Sequence, residues 1–206
     1  MKKLIIIGAS EPGREIVDIL YNGCLQSDLV FYKFYDDSLT GENIIHILTD
    51  DLQGNFFICS IGNVLTREIF YARFIEHHLI PASVISSKTW IAPSAQIAPG
   101  ALIYPFCSIS SLVHIAENVL INFHTSVSHG VHIGANSNLC PGTRIAGNVI
   151  LGKNVYVGIG SVIKEKITVC DNVLIGANST VLKDITEPGI YAGSPCQLLR
   201  KHPTAK

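Results

Sequence analysis

The chain has no CxxC pair, no long apolar run at its start and no excess of charge of either sign, and each absence removes a class of protein. Its six cysteines, at 24, 59, 107, 140, 170 and 196, form no tight cluster. That spacing argues against a zinc ribbon or a disulfide framework and fits thiols kept reduced in a cytoplasm. Lys and Arg number 15 against 16 Asp and Glu, a net charge of -1, so the chain lacks the broad positive field that duplex nucleic acid or an anionic membrane calls for. The opening MKKLIIIGASEPGRE carries two lysines, but glycine, proline and charge end its apolar run at residues 4–7. That run is too short for a signal peptide or a membrane span. A soluble, cytoplasmic protein is expected, and at 206 residues it buries roughly 70 % of its unfolded surface.

What is present divides into two halves. Every sixth residue from Ile91 to Val181 is Ile, Leu or Val without interruption, and four places after each comes a small or aliphatic residue such as Ala101, Val113, Thr125, Val131 or Ser137. Both sets are expected to face one interior. One place before the small residue, Gly or Asn recurs at 100, 118, 130, 136, 142, 148, 154, 160, 172 and 178. These two types best tolerate positive φ, so each hexad is expected to turn a sharp corner there. A six-residue period with an inward aliphatic and a tight corner is the signature of a parallel β-helix. Three hexads close one triangular coil, so residues 18 apart lie one above the other at a strand spacing of about 4.8 Å.

Residues 1–85 follow another grammar. KLIIIG reads as a strand, GASEPG as a loop, REIVDILYNG as a helix, LVFYKFYDD and NFFICSIG as strands, and NVLTREIFYARFIEHHL as a helix capped by Asn63. Alternating strand and helix predicts a small parallel α/β sheet of Rossmann type over 1–85, linked by PASVISSKTW to a β-helix over 86–206.

Gly8 and Gly13 flank the first strand–helix loop, where free amides and the helix dipole suit a phosphate. The loop lacks both the Walker lysine and a full GxGxxG, which favours a nucleotide mono- or diphosphate over NAD. Asp36 and Asp37 end the second strand, where an acid can bind a ribose hydroxyl or a base edge; a solvated turn is the alternative. His114 and His132, 18 apart, are expected to stack on an outer strip as polar packing. A corner at Gly130 separates His132 from His129, so the HxxH pair does not face one metal. His124 and His129 have the five-residue spacing of the γ-class carbonic anhydrase histidines, but the position two coils below His124 is Lys88, and catalytic zinc of that class needs three imidazoles. Gly147 lies one coil above His129. An imidazole is a suitable base for an amine or hydroxyl attacking a thioester, and a nearby peptide N–H can hold the oxyanion, which is a physical reason to expect acyl transfer; a surface histidine at a corner, with no chemistry, is the alternative.

Taken in order, IIIGAS, FYDD, SIGN, VSHGVHIG, RIAGNVILGKNVYVGIGSVI and GIYAGSPCQLLR resemble the hexapeptide-repeat sugar acetyltransferases of the PglD/NeuD type along essentially the whole chain. The resemblance implies a left-handed β-helix, a homotrimer, acetyl-CoA as co-substrate between neighbouring prisms, no metal, and a nucleotide-linked deoxyamino sugar held by the N-terminal domain. It implies His129 as general base and Gly147 as the amide at the acetyl group, with Gly8, Ala9, Ser10, Asp36, Asp37 and Asn63 at the nucleotide. It places Asn138, Lys153, Lys164, Lys166, Arg200 and Lys201 as candidates for acetyl-CoA. Three positions depart from the family pattern. Gly130 stands where many members have an acid that orients the base, and Pro12 and Asn138 stand where some have histidine. Because the same base serves an amine or a hydroxyl, sialic-type O-acetylation stays open; the missing acid keeps open a trimer that only binds sugar nucleotides, and a γ-carbonic-anhydrase-like zinc protein is the remaining alternative.

Overall fold

The structure, a computed structural model, describes residues 1–201. The N-terminal part runs β1 (Lys2–Ile7), α1 (Glu11–Gly23), β2 (Leu29–Tyr35), β3 (Ile44–Ile45), a 3₁₀ turn (Asp50–Leu52), β4 (Phe56–Cys59), α2 (Val64–Glu76) and β5 (Ile80–Pro81). Its strands form one parallel sheet in the order β3-β2-β1-β4-β5. The edge strands β3 and β5 are two residues each, too short to leave a periodic trace in the sequence. Helix α1 begins at Glu11, inside the segment expected to be loop. Pro12 lies in its first turn, where a missing N–H disturbs no helical bond.

The C-terminal part is a three-faced prism of short strands, mostly two residues long, in parallel register, with a longer antiparallel pair, Gly189–Ala192 and Gln197–Lys201, at the end of face III. Face I carries Trp90–Ile91 through Thr180–Val181, face II Gln96–Ile97 through Thr168–Val169, and face III Val84–Ile85 through Gln197–Lys201. As far as Thr180–Val181 the pairing offset is 18 residues, as for Ser126 with Arg144 and His132 with Ile150. The inward positions read from the sequence are buried, apart from Ile91, Ala95 and Ile97 in the first coil, which are half-covered. Inward hydroxyls satisfy themselves on backbone: Ser137 Oγ donates to Gly152 O at 3.0 Å and accepts from Val155 N at 3.1 Å.

Every sixth residue from Gly100 to Asn178 has positive φ. The set includes Phe106, Leu112, His124 and Lys166, at φ values of 63, 58, 57 and 61. Left-handed backbone costs a residue with a Cβ roughly 1–2 kcal/mol, so the stacked coils on either side impose the corner against local preference. At the edge between faces II and III the corner asparagines form a ladder. Asn118 Nδ2 donates to Asn136 Oδ1 (2.8 Å), Asn136 to Asn154 (2.7 Å) and Asn154 to Asn172 (3.1 Å).

The two parts share a core. Leu102, Tyr104 and Leu120 on face III pack with Leu4, Ile6, Ile16 and Ile19 of the Rossmann-like sheet and α1. The sheet ends at Ile80–Pro81, and Val84–Ile85 is the first strand on face III. Helix α2 lies along the asparagine ladder: Asn136 Nδ2 donates to Val64 O at 2.5 Å and Asn154 Nδ2 to Glu68 Oε2 at 3.1 Å.

Replacing Asn136 removes ladder bonds on both sides and strands their partners. In urea unfolding, Asn136→Ala is expected to destabilise the protein by about 2–4 kcal/mol. Asn136→Gly, which relieves the positive φ without restoring the bonds, is expected to recover about 1 kcal/mol of that loss.

Candidate active site

Three stretches of chemistry sit on different parts of the prism. His129 is an exposed residue on the edge between faces I and II, just before the corner at Gly130. Its ring lies against Gly147 one coil above: a Cβ added at Gly147 would come within 2.7 Å of His129 Cε1 and 2.8 Å of Nε2. Only glycine lets the imidazole approach this peptide so closely. Among the described residues the Gly147 N–H has no acceptor, and the His129 ring makes no hydrogen bond. An acid at 130 would have to take the left-handed corner and displace the side chain above it. Gly130 has φ +66, and a Cβ there would run into Asn148 Oδ1. Lys164 and Lys166 are exposed on the coil above Gly147, where Lys166 N donates to Gly147 O at 2.9 Å. Lys153, by contrast, lies beside the edge between faces II and III, and Arg200 and Lys201 lie in the last strand of face III. The basic candidates therefore do not converge, and only Lys164 and Lys166 share an edge with His129.

The other histidines fall as their register dictates. His114 and His132 stack on face II with ring centroids 4.6 Å apart and planes 11° apart. His124 sits on the edge between faces I and III, stacked on Phe106 at 5.3 Å, with the Lys88 ammonium over the Phe106 ring. The column is thus Lys88, Phe106, His124, which puts a cation where a γ-class zinc site needs its third imidazole. Among the described residues no group of three or more His, Cys, Asp or Glu side chains gathers within the chain.

A cavity of about 360 Å³ opens at the carboxyl ends of β1, β2 and β4, lined by Gly8, Ser10, Asp36, Asp37, Ser60 and Gly62 among others. This is where open parallel sheets bind ligands. Ala9 is buried behind it. Asp36 is committed to the fold: Oδ2 accepts from Ala9 N, and Oδ1 accepts from Ser38 N, Ser38 Oγ and Leu39 N, all at 2.9 Å. Partial burial pushes this carboxyl up, but the N–H groups of Ala9, Ser38 and Leu39 and the Ser38 hydroxyl outweigh it and hold the pKa at about 2. Asp37 is the exposed acid, with Arg73 Nη1 at 4.0 Å. Asn63 does not line this cavity. It caps α2, its Oδ1 accepting from Thr66 N at 3.0 Å, and faces a second one.

The second cavity, about 600 Å³, lies on face III between the start of α2 and the last strand, lined by Gly62, Asn63, Asn122, Asn138, Tyr156 and Arg200 among others. Gly62 belongs to both cavities. Asn138 is only 4 % exposed. Its Nδ2 donates to Gly62 O at 2.9 Å, while its buried Oδ1 has no partner among the described residues. Asn138 thus belongs to the seam between the domains, away from the edge that holds His129.

Sequence reasoning passed over Arg67. It is fully buried, and burial pulls its guanidinium down to about 10. No carboxylate faces it among the described residues. Instead it donates to five carbonyls: Ile61 O (2.8 Å) and Gly62 O (3.4 Å) in the loop before α2, and Asn118 O (3.3 Å), Asn136 O (2.6 Å) and Ser137 O (3.1 Å) on the prism. The signal was present in its spacing: Arg67 shares the buried stripe of α2 with Phe70 and Phe74, where a charge needs a reason.

Residues 148–183 match the family model of the bacterial transferase hexapeptide (six repeats). No curated protein matches the chain. Solved structures match it nearly end to end. PerB from Caulobacter crescentus, in complex with CoA and GDP-perosamine, is 18% identical with a TM-score of 0.87 over 96% of this chain and 97% of that one. The acetyltransferase domain of PglB from Neisseria gonorrhoeae, in complex with acetyl coenzyme A, is 21% identical with a TM-score of 0.84 over 96% and 99%. WeeI from Acinetobacter baumannii is 22% identical with a TM-score of 0.86 over 97% and 100%. The class is thereby defined: a Rossmann-like α/β domain followed by a left-handed parallel β-helix of hexapeptide repeats. No helix among the described residues is long and apolar enough to cross a membrane.

Asp36 gives this region a pH signature. A carboxyl held at about 2 when folded, against about 3.9 in an unfolded chain, contributes stability that is complete above the unfolded value and fades as pH falls towards the folded one. Asp36→Asn is therefore expected to lower the urea midpoint at pH 7, and the gap to the unsubstituted protein is expected to narrow between pH 4 and about 3.

Proposed function

We propose that the protein is an acetyltransferase that moves the acetyl group of acetyl-CoA to the amino group of a nucleotide-linked deoxyamino sugar, for a surface polysaccharide or glycan. The observation that carries this reading is the His129 imidazole lying against Gly147, whose N–H is left without an acceptor. The imidazole takes the proton as the amine nitrogen attacks the thioester carbonyl. The Gly147 N–H holds the oxyanion, the C–S bond breaks, and the CoA thiolate leaves with the proton that the imidazolium returns. Lys164 and Lys166, on the same edge, suit the phosphates of CoA. The nucleotide occupies the cavity at Gly8, Ser10 and Asp37, and the sugar reaches over Gly62 into the cavity at Asn138.

His129 lines neither of those cavities. Face II separates its edge from the edge held by α2, so a site that uses both ends needs the histidine of one copy beside the acceptor cavities of another. A closed homotrimer of parallel prisms meets that need in three equivalent clefts. Support for the substrates comes from the similar structures, of which PerB was solved with CoA and GDP-perosamine and the PglB domain with acetyl coenzyme A. The free cysteines suit a cytoplasmic setting.

The test is thiol release from acetyl-CoA across UDP-, dTDP- and GDP-linked amino sugars. One sugar is expected to be turned over, with His129→Ala slower by about 10² to 10⁴. Gly147→Ala, which drives a methyl group into the imidazole, is expected to slow turnover by about 10² without changing nucleotide affinity. Turnover of His129→Ala near the unsubstituted rate would remove the base from the mechanism. Acetylation only at a hydroxyl would move the reading to O-transfer.

A further inference from the structure

We propose that Arg67 is a positioning residue that fixes how far the acceptor reaches beyond the nucleotide cavity; the inference rests on the acceptor track described above. A guanidinium is planar, carries five N–H donors and does not lose its charge, so it can satisfy several carbonyls at once in fixed directions. Arg67 does this across the domain junction. Two of its acceptors, Ile61 O and Gly62 O, belong to the loop that walls both cavities, and three, Asn118 O, Asn136 O and Ser137 O, belong to the edge of the prism. One side chain thus ties the position of Gly62 to the coils that carry Asn122 and Asn138.

A buried charge held only by carbonyl dipoles is an expensive way to pack two domains, since a well-packed apolar side chain there often matches or exceeds the stability of buried ionic groups. The shared apolar core of Leu102, Tyr104 and Leu120 with Leu4 and Ile16 already joins the halves. What the guanidinium adds is direction. Among the described residues the other side-chain ties from the prism to this segment are single bonds, Asn138 Nδ2 to the Gly62 carbonyl and Asn136 Nδ2 to the Val64 carbonyl. A shift of about 1 Å in a substrate-bearing wall is enough to lower a transfer rate by about 10².

The experiment compares Arg67→Lys with Glu68→Ala, which breaks the neighbouring contact to Asn154 without touching the loop. It reads the melting temperature, UDP, dTDP and GDP affinity, kcat and KM for the accepted sugar, and amide exchange in residues 60–64. Arg67→Lys is expected to lower kcat by about 10² with nucleotide affinity within about threefold and exchange at 60–64 faster by tenfold or more. Glu68→Ala is expected to leave kcat within about threefold even where its melting temperature falls as far. Unchanged kcat in folded Arg67→Lys, or nucleotide affinity falling in step with kcat, overturns the proposal. If the unsubstituted protein acetylates none of the sugars, the function fails separately, and exchange alone decides: faster at 60–64 supports the clamp, unchanged exchange overturns it. If Arg67→Lys does not fold, Asn138→Ala decides by exchange: protection kept at 60–64 supports Arg67 as the holder, protection lost overturns it.

Discussion

The left-handed corner repeated every six residues is the constraint on which everything else depends. It closes three hexads into one triangle and so fixes residues 18 apart as vertical neighbours. The coils enforce it even where the residue resists. Phe106, Leu112, His124 and Lys166 all adopt positive φ despite their Cβ atoms, because a single corner out of line would break ladder pairing above and below it. Vertical registry then determines chemistry. His129 meets Gly147, His132 meets His114, and Phe106 meets His124 from this one rule.

The same rule keeps parts of the candidate site apart. The prism holds its imidazole on one edge and its α/β domain on another, with a full face between them. A flexible arrangement could bridge such a gap within a chain, but this one is tied down. Helix α2 is bonded to the asparagine ladder at Val64 and Glu68, and Arg67 is bonded to both sides of the junction. Rigidity within one copy follows from this architecture, and it is the reason the proposed site calls on a second copy.

Much of this could be read in the residues themselves. The inward positions and ten of the corners announce themselves by side-chain type, and counting by 18 is enough to set His129 against Gly147. Corners at Phe106, Leu112, His124 and Lys166 were not legible, since nothing in those side chains favours positive φ. Nor were the two-residue strands β3 and β5, which exist through pairing alone. By its place at the end of a strand Asp36 reads as a candidate for a ribose hydroxyl or a base edge; that its two oxygens take four donors from its own chain is a fact of loop geometry that no motif records. In the sequence only the spacing of Asn138 from His129 is visible, and the resemblance groups it with acetyl-CoA on that spacing. The partner of its Nδ2, the Gly62 carbonyl, is 76 residues away in sequence and depends on how the domains dock.

The most direct measurement is complementation between two inactive chains. His129→Ala lacks the base, and Gly62→Phe fills the passage between the two acceptor cavities. The chains are co-expressed, and mixed assemblies are verified by native mass spectrometry. A site built from two copies predicts recovery of about a quarter of the unsubstituted rate, the random share of interfaces that pair an intact histidine with an intact passage. Mixed assemblies no more active than either parent would contradict the account.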